Sequence, residues 1–332
     1  MYHFVDCMSK TELNDVKHLL TLNHLSFDDN VTQTVGIYDG EVMVATGSLD
    51  SNVIKMIAVD PSHQGENLTA LILSHLMSIL NDRGIQKYFL FTTQKSKAFF
   101  LNYNFSLIYE NETIVMLENK FDTIIERLTR LKSTLTLNRG TTAAIVMNCN
   151  PVTLGHLYLI EKCSTQNDNV LIFLVEENKS VFPYPVRLEL LQKSTKHLKN
   201  VHILPSTPYI ISTATFPTYF LKETSERSYA YMDLDISIFN KYFIPIFSID
   251  FRYVGSEPLD PATNAYNETM KKILRDKLVI IERLRNKENV VSASLIRKFA
   301  VEKKYDMIKL YTPAPTYKFL KSKKGKALFH HE

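Results

Sequence analysis

Hydrophobic positions change their period along this chain, and the change divides it. Tyr38-Asp39-Gly40-Glu41 reads as a tight turn between strand-like residues 34–37 and 42–46, which predicts a hairpin. Residues 52–59 read as a further strand, and 60–65 as a loop. An amphipathic helix follows, with Leu68, Leu71, Ile72, His75, Leu76 and Ile79 on one face and Gly84 ending it. A strand over 87–92, a short helix over 96–102 and more strand over 105–118 complete an α+β unit. Residues 119–139 read as an amphipathic connecting helix and linker. After Gly140 the pattern becomes alternating strand and helix. Residues 143–149, apolar but for Asn148, read as a strand buried on both faces of a parallel sheet. Strands are predicted at 170–175, 201–204, 251–255 and 278–281. Helices are predicted from about Gly155 and Ser294 and over 185–198, 213–224, 233–244 and 261–275. The expected fold is therefore α/β, with a first domain at 1–118, a linker at 119–139 and a doubly wound domain at 140–332.

Composition narrows the class. Only 9 of 332 residues are glycine, so the chain can build few loops in which backbone amides close on a phosphate. The longest uninterrupted apolar run, Val170 to Val175, falls far short of the ~20 residues that span a bilayer. Cys7, Cys149 and Cys163 are odd in number and lack metal-ligand spacing. A reducing, cytoplasmic setting is the expectation, with no membrane partner and no metal site from a protein motif. Charge is uneven: residues 1–118 carry 7 lysines and arginines against 14 acids, and the remainder carries 32 against 21. The second part has the sign for a polyanionic small molecule. No nucleic-acid motif accompanies it.

Two motifs sit where strands of the second domain lead into helices. The first is Asn148-Cys149-Asn150-Pro151-Val152-Thr153-Leu154-Gly155-His156. A helix amino end offers free amides and a positive dipole, Gly155 allows close backbone approach, and Thr153 and His156 bring a hydroxyl and an imidazole. The second is Val291-Ser292-Ala293-Ser294-Leu295-Ile296-Arg297. Ser292 or Ser294 can cap the helix, and Arg297, one turn in, can reach back to a phosphate. Gly255 ends a third strand at the same edge.

The paired motifs resemble the nucleotidyltransferase superfamily, marked by His/Thr-x-Gly-His and Ile-Ser-Ser/Thr-Thr/Ser-x-x-Arg. The strings NCNPVTLGHLYLIEKC, LVEENKSVFPYPVRLELL, PYIISTATFPTYFLKE, FRYVGSEPLDPATNAYNETM and ERLRNKENVVSASLIRKF narrow it: the chain resembles the citrate lyase ligase family. That resemblance implies ATP and Mg2+ as cofactors, and acetate as a substrate. It implies as partner the citrate lyase acyl carrier (gamma) subunit, which bears a dephospho-CoA-like thiol group. Its activity is ATP-dependent acetylation of that thiol through acetyl-adenylate, releasing AMP and pyrophosphate. By the same resemblance Thr153, His156 and Arg297 act in catalysis, and Asn148, Asn150, Gly155, Gly255, Ser292 and Ser294 help to bind ATP. Arg187 either joins the phosphate site or makes a surface ion pair. Lys222 either contacts phosphate or is a solvated helix charge. Tyr209, Ser212, Thr215 and Tyr219 are candidates for placing the small carboxylate. The alternative within the superfamily is an adenylyltransferase acting on a nucleotide-like phosphate acceptor. A ligand-sensing scaffold would be a different class, and the intact Gly155-His156 and Arg297 argue against it.

In the first domain, Asp60 to Thr69 is similar to the pyrophosphate loop of GNAT acetyltransferases, and Phe99 to Phe105 to the segment beside their pantetheine arm. The resemblance implies a GNAT-like α+β fold. Gln64, Gly65, Asn67 and Tyr103 become candidates for the carrier's CoA-like group, and Tyr103 is also a candidate for assisting thiol ionisation. Asn67 and Thr69 stand where glycine or alanine is usual, so close backbone approach should be impaired.

Overall fold

The computed structural model describes residues 1–176, 180–210, 224–256, 261–286 and 289–329. Chain contacts group into two compact units: Met1–Glu126 with Thr215–Leu234, and Arg127–Ala214 with Asp235–Glu332.

The first unit is built on a seven-stranded sheet of β1 (Tyr2–Asp6), β2 (Gln33–Asp39), β3 (Val42–Asp50), β4 (Val53–Val59), β5 (Phe89–Thr92), β6 (Phe105–Glu110) and β7 (Val115–Asn119), in the order β1-β2-β3-β4-β5-β7-β6. All pairs are antiparallel except β4 with β5. Helices α1 (Lys10–Leu22), α2 (Leu68–Asp82) and α3 (Gln94–Leu101) cover it. Of the predicted apolar stripe of α2, Leu68, Ile72 and Leu76 are buried, His75 and Ile79 are half-buried and Leu71 is exposed, and Leu73 and Leu80 complete the buried face. Helix α1 and strand β1 were not foreseen, since α1 buries only Val16, Leu19 and Leu20. Its start is nonetheless written in the chain as a capping box, with Glu12 N–H donating to Ser9 at 3.2 Å and Ser9 N–H to Glu12 at 2.8 Å. Residues 224–234 fall with this unit, a grouping the strand–helix alternation did not suggest. Within the unit the Tyr109 hydroxyl donates to Asp233, and Asn111 Nδ2 donates to the same carboxylate at 3.2 Å.

Helix α4 (Ile124–Ser133) follows β7. The buried Glu118 accepts from the Ile124 amide at 3.1 Å and pairs with Lys87 at 2.5 Å, so β5, β7 and the helix entry are tied at one point.

The second unit contains a five-stranded parallel sheet in the order β10-β9-β8-β11-β12, from β8 (Thr142–Met147), β9 (Asn169–Leu174), β10 (Val201–Pro205), β11 (Phe251–Gly255) and β12 (Leu278–Ile281). Helices α5 (Leu154–Gln166) and α6 (Tyr184–Thr195) connect the first strands. α7 (Thr224–Ile238) continues through a π-helical turn, Phe239–Phe243, into α8 (Ile244–Phe247). Then come α9 (Pro261–Leu274), α10 (Ala293–Val301), α11 (Tyr305–Tyr311), α12 (Ala314–Lys321) and α13 (Lys323–Ala327). β8 and β9 are buried almost throughout, as their unbroken apolar runs require. One sheet face packs Ala143, Ile145 and Met147 against Ile160 and Ile296. On the other, Phe173 takes the rings of Phe243 and Phe247 at 5.2 and 5.3 Å. Because β9 lies on one side of β8 and β11 on the other, strand order reverses at β8. Such a reversal opens a crevice beyond the carboxyl ends of the strands.

Candidate active site

A cavity of about 950 Å³ occupies that crevice. Asn148, Thr153, Gly155, His156, Gly255, Ser292, Ser294 and Arg297 all line it, so most of the expected site converges within one unit.

The first motif is a helix start. Thr153 is the N-cap of α5, with its hydroxyl accepting the His156 amide at 3.3 Å. His156 Nδ1 accepts the Thr153 amide at 3.1 Å and lies 3.0 Å from its hydroxyl. An Nδ1 that accepts leaves the proton of a neutral imidazole on Nε2. Desolvation by the cavity walls, helped by the charge of Arg283, holds His156 below its ordinary value, at about 4. Near neutral pH the ring is an uncharged, oriented donor.

The second motif is also a helix start. Ser292 caps α10, accepting from the Leu295 amide at 3.3 Å, and Ser294 Oγ lies 3.2 Å from Ser292 Oγ. The two motifs meet. A Cβ on Gly155 would come within 3.1 Å of the Val291 carbonyl oxygen, so a side chain there would push the helix starts apart. Arg297 Nη1 donates to the Asn150 carbonyl at 2.6 Å, binding the α10 helix to the loop after β8. Two positive helix ends therefore face one space.

Other expectations meet different surroundings. Arg187 is fully buried and does not line the cavity. Its guanidinium donates to the carbonyls of Phe182 (2.9 Å), Asn148 (2.8 Å) and Val175 (2.6 Å) and to Asn148 Oδ1 (2.8 Å). Arg187 is thus neither at the surface nor open to the cavity; it is a clamp beneath the loop. Asn150 points its side chain at the Phe182 amide, 3.0 Å away. Cys149 is buried, and burial pushes its thiol up to about 12, which suits packing and not nucleophilic attack. Tyr209 is fully buried. Ser212, Thr215, Tyr219 and Lys222 lie outside the described residues. Two arginines in the cavity wall escaped the sequence reading, Arg252 and Arg283. Arg283 follows β12 by two residues, at the strand end where ligands gather. Its Cγ would lie 3.6 Å from a Cβ placed on Gly255.

The first unit has its own cavity, of about 530 Å³, lined by Gln64, Gly65, Asn67, Thr69 and Phe99 among others. Gly65 has φ +98°, and Asn67 takes the left-handed region at φ 64°, which asparagine tolerates better than most residues. The Asn67 side chain is exposed. Tyr103 does not line this cavity; it stacks on Phe99 at 4.6 Å.

A capped Thr-x-Gly-His helix start after the first strand of a doubly wound sheet, joined to a capped Ser-x-Ser-x-x-Arg helix after the last, defines a nucleotidyltransferase-type domain. Segments of phosphopantetheine adenylyltransferases agree, for example that of Clostridium botulinum (strain Eklund 17B / Type B), 40% identical over 57 residues, 17% of this chain and 36% of that protein. The family described as citrate lyase ligase C-terminal domain matches residues 142–320. The [citrate [pro-3S]-lyase] ligase of Escherichia coli (strain K12) is 32% identical over 94% of this chain and 91% of its own, and that of Klebsiella pneumoniae is 33% identical over 92% and 91%. The chain belongs to the citrate lyase ligase family. Among solved structures, the ribosomal-protein-S18-alanine N-acetyltransferase of Escherichia coli is similar over 36% of this chain and 93% of its own, at 16% identity and a TM-score of 0.30.

Proposed function

We propose that this protein activates citrate lyase in the cytoplasm by ATP-dependent acetylation of the thiol prosthetic group on its acyl carrier subunit. Adenylate formation belongs to residues 140–332. An acetate oxygen bonds to the α-phosphorus of ATP, the bond to the α–β bridging oxygen breaks, and pyrophosphate leaves with that electron pair. The carrier thiol then loses its proton and attacks the acetyl carbon, forming the C–S bond as the C–O bond to AMP breaks. His156 Nε2–H and the α5 amides stabilise charge on the α-phosphoryl oxygens. Arg297, Ser292, Ser294 and Arg283 hold the β- and γ-phosphates, with Mg2+ carried in by the triphosphate. Such chemistry rests on positioning and electrostatics, without a covalent enzyme intermediate. Residues 1–118 receive the carrier's pantetheine-like arm in the cavity at Gln64 and Gly65.

The observation that carries this reading is the meeting of the two strand-end motifs, Gly155 against Val291 and Arg297 on Asn150, around one cavity. Similarity to named ligases along nearly the whole chain supports the acceptor. Acetate-dependent exchange of labelled pyrophosphate into ATP is the expected result. Exchange that proceeds equally well without acetate would instead indicate an adenylyltransferase with a phosphate acceptor.

A further inference from the structure

Arg252, the second residue of β11, is only 3% exposed although its side chain ends in a guanidinium. Burying a guanidinium is costly unless its donors find acceptors. Nη2 donates to the Tyr266 hydroxyl at 3.3 Å, and Tyr266 in turn donates to the buried Asp235. The Phe239 ring centre lies 4.3 Å from the guanidinium carbon. Nε and Nη1 are closed to solvent and have no acceptor among the described residues. Unmet buried donors are rare in folded proteins, and a place for an absent ligand is one physical explanation of them.

The surroundings select the ligand. Arg252, Tyr266, Asn267 and Met270 line the same cavity as His156. Met270 is 1% exposed, and Phe239 is buried. A planar guanidinium and a phenol hydroxyl beside an aromatic ring and a thioether suit a carboxylate head with a short apolar tail. The polyphosphate has its own set of groups, the two helix amino ends with His156, Ser292, Ser294 and Arg297. We propose that Arg252, with Tyr266, is the seat of the small carboxylate substrate. Because Nε and Nη1 are covered, the guanidinium must swing off the Phe239 face to receive it; the ring serves as its resting partner. This assignment rests on the ligase reading, and it moves the carboxylate away from the 209–220 stretch to which the sequence pointed.

Arg252→Met keeps the bulk and removes the charge. In pyrophosphate exchange at saturating ATP, its KM for acetate should rise at least tenfold, with the KM for ATP within twofold of wild type. The melting temperature of the ligand-free variant should stay level or rise, since an unsatisfied buried charge has gone. Arg252→Lys, which keeps charge without the planar donors, should give an intermediate KM for acetate. An unchanged KM for acetate in Arg252→Met overturns the proposal, as does a lowered melting temperature with equal loss of ATP and acetate binding, the mark of a structural tie. If wild-type exchange ignores acetate, the ligase reading fails separately. The seat is then judged by calorimetric titration of acetate, propionate and inorganic phosphate. Carboxylate binding by wild type that Arg252→Met loses upholds the seat, whereas no binding, or phosphate bound as well as acetate, sinks it.

Discussion

His156 presents opposite ends of one ring to the fold and to the cavity. Nδ1 closes the capping box of α5, and Nε2 is left as a donor toward the cavity. A folded-state value near 4, against an unfolded one near 6.5, means the unfolded chain binds the extra proton first. The contribution of this residue to stability is complete above about pH 6.5 and is lost progressively as pH falls toward 4. The loss amounts to about 2 kcal/mol by pH 5. Urea denaturation of wild type and His156→Ala at pH 7 and pH 5 should show that much less pH dependence in the variant. At pH 7 the same variant should lose turnover by about 10²–10³-fold with modest loss of ATP affinity, since the donor acts on charge that grows in the transition state. Isothermal titration with ATP beside steady-state rates separates the two effects. The placements of Gly155 and of the Ser292/Ser294 pair were legible in the sequence because a glycine or serine at a helix start has a local physical reason to be there. Arg187, Arg252 and Arg283 were not, because an arginine's role depends on which carbonyls, rings or open space surround it.

At the scale of elements, the site is a joint between two helix starts, and the clamp beneath it is Arg187. Among the described residues, its donor contacts to three carbonyls and the Asn148 side chain hold the loop after β8 against β9 and the entry to α6. Arg187→Met should therefore destabilise the protein by about 3 kcal/mol or more, since hydrogen bonds from a charged donor are each worth roughly 1.5–3. ATP affinity should follow the lost loop order, and thermal unfolding with and without ATP would measure both. A variant as stable as wild type with ATP binding abolished would assign Arg187 to the phosphates instead. Most strands and helices were foreseen at nearly their observed positions, because each buries an apolar stripe or run of its own. Helix α1 was missed because its stripe is short, Val16, Leu19 and Leu20 with Leu13 beside them. The continuation of α7 through a π turn into α8 is a packing solution around Phe173, with no counterpart in periodicity.

Over the whole molecule, two cavities in two compact units serve two halves of one proposed reaction. Thr69 lines the 530 Å³ cavity and is partly buried. Filling that space by Thr69→Trp should raise the KM for the carrier subunit at least tenfold while leaving acetate-dependent pyrophosphate exchange unchanged. Loss of exchange in this variant would show that the cavity belongs to the adenylation half or to stability, not to the carrier arm.

The sequence by itself determined the two kinds of architecture, the order of most elements and the two motifs that open α5 and α10. Apolar period, helix caps and strand-end glycines are local properties, so they survive in one dimension. That those motifs meet at Gly155 and Val291, that residues 224–234 fall with the first unit, that Arg187 is a clamp and that Arg252 and Arg283 line the cavity emerged only with the folded chain. Each of those outcomes depends on groups distant in the chain being packed together, and an arginine's charge acquires its meaning from what surrounds it.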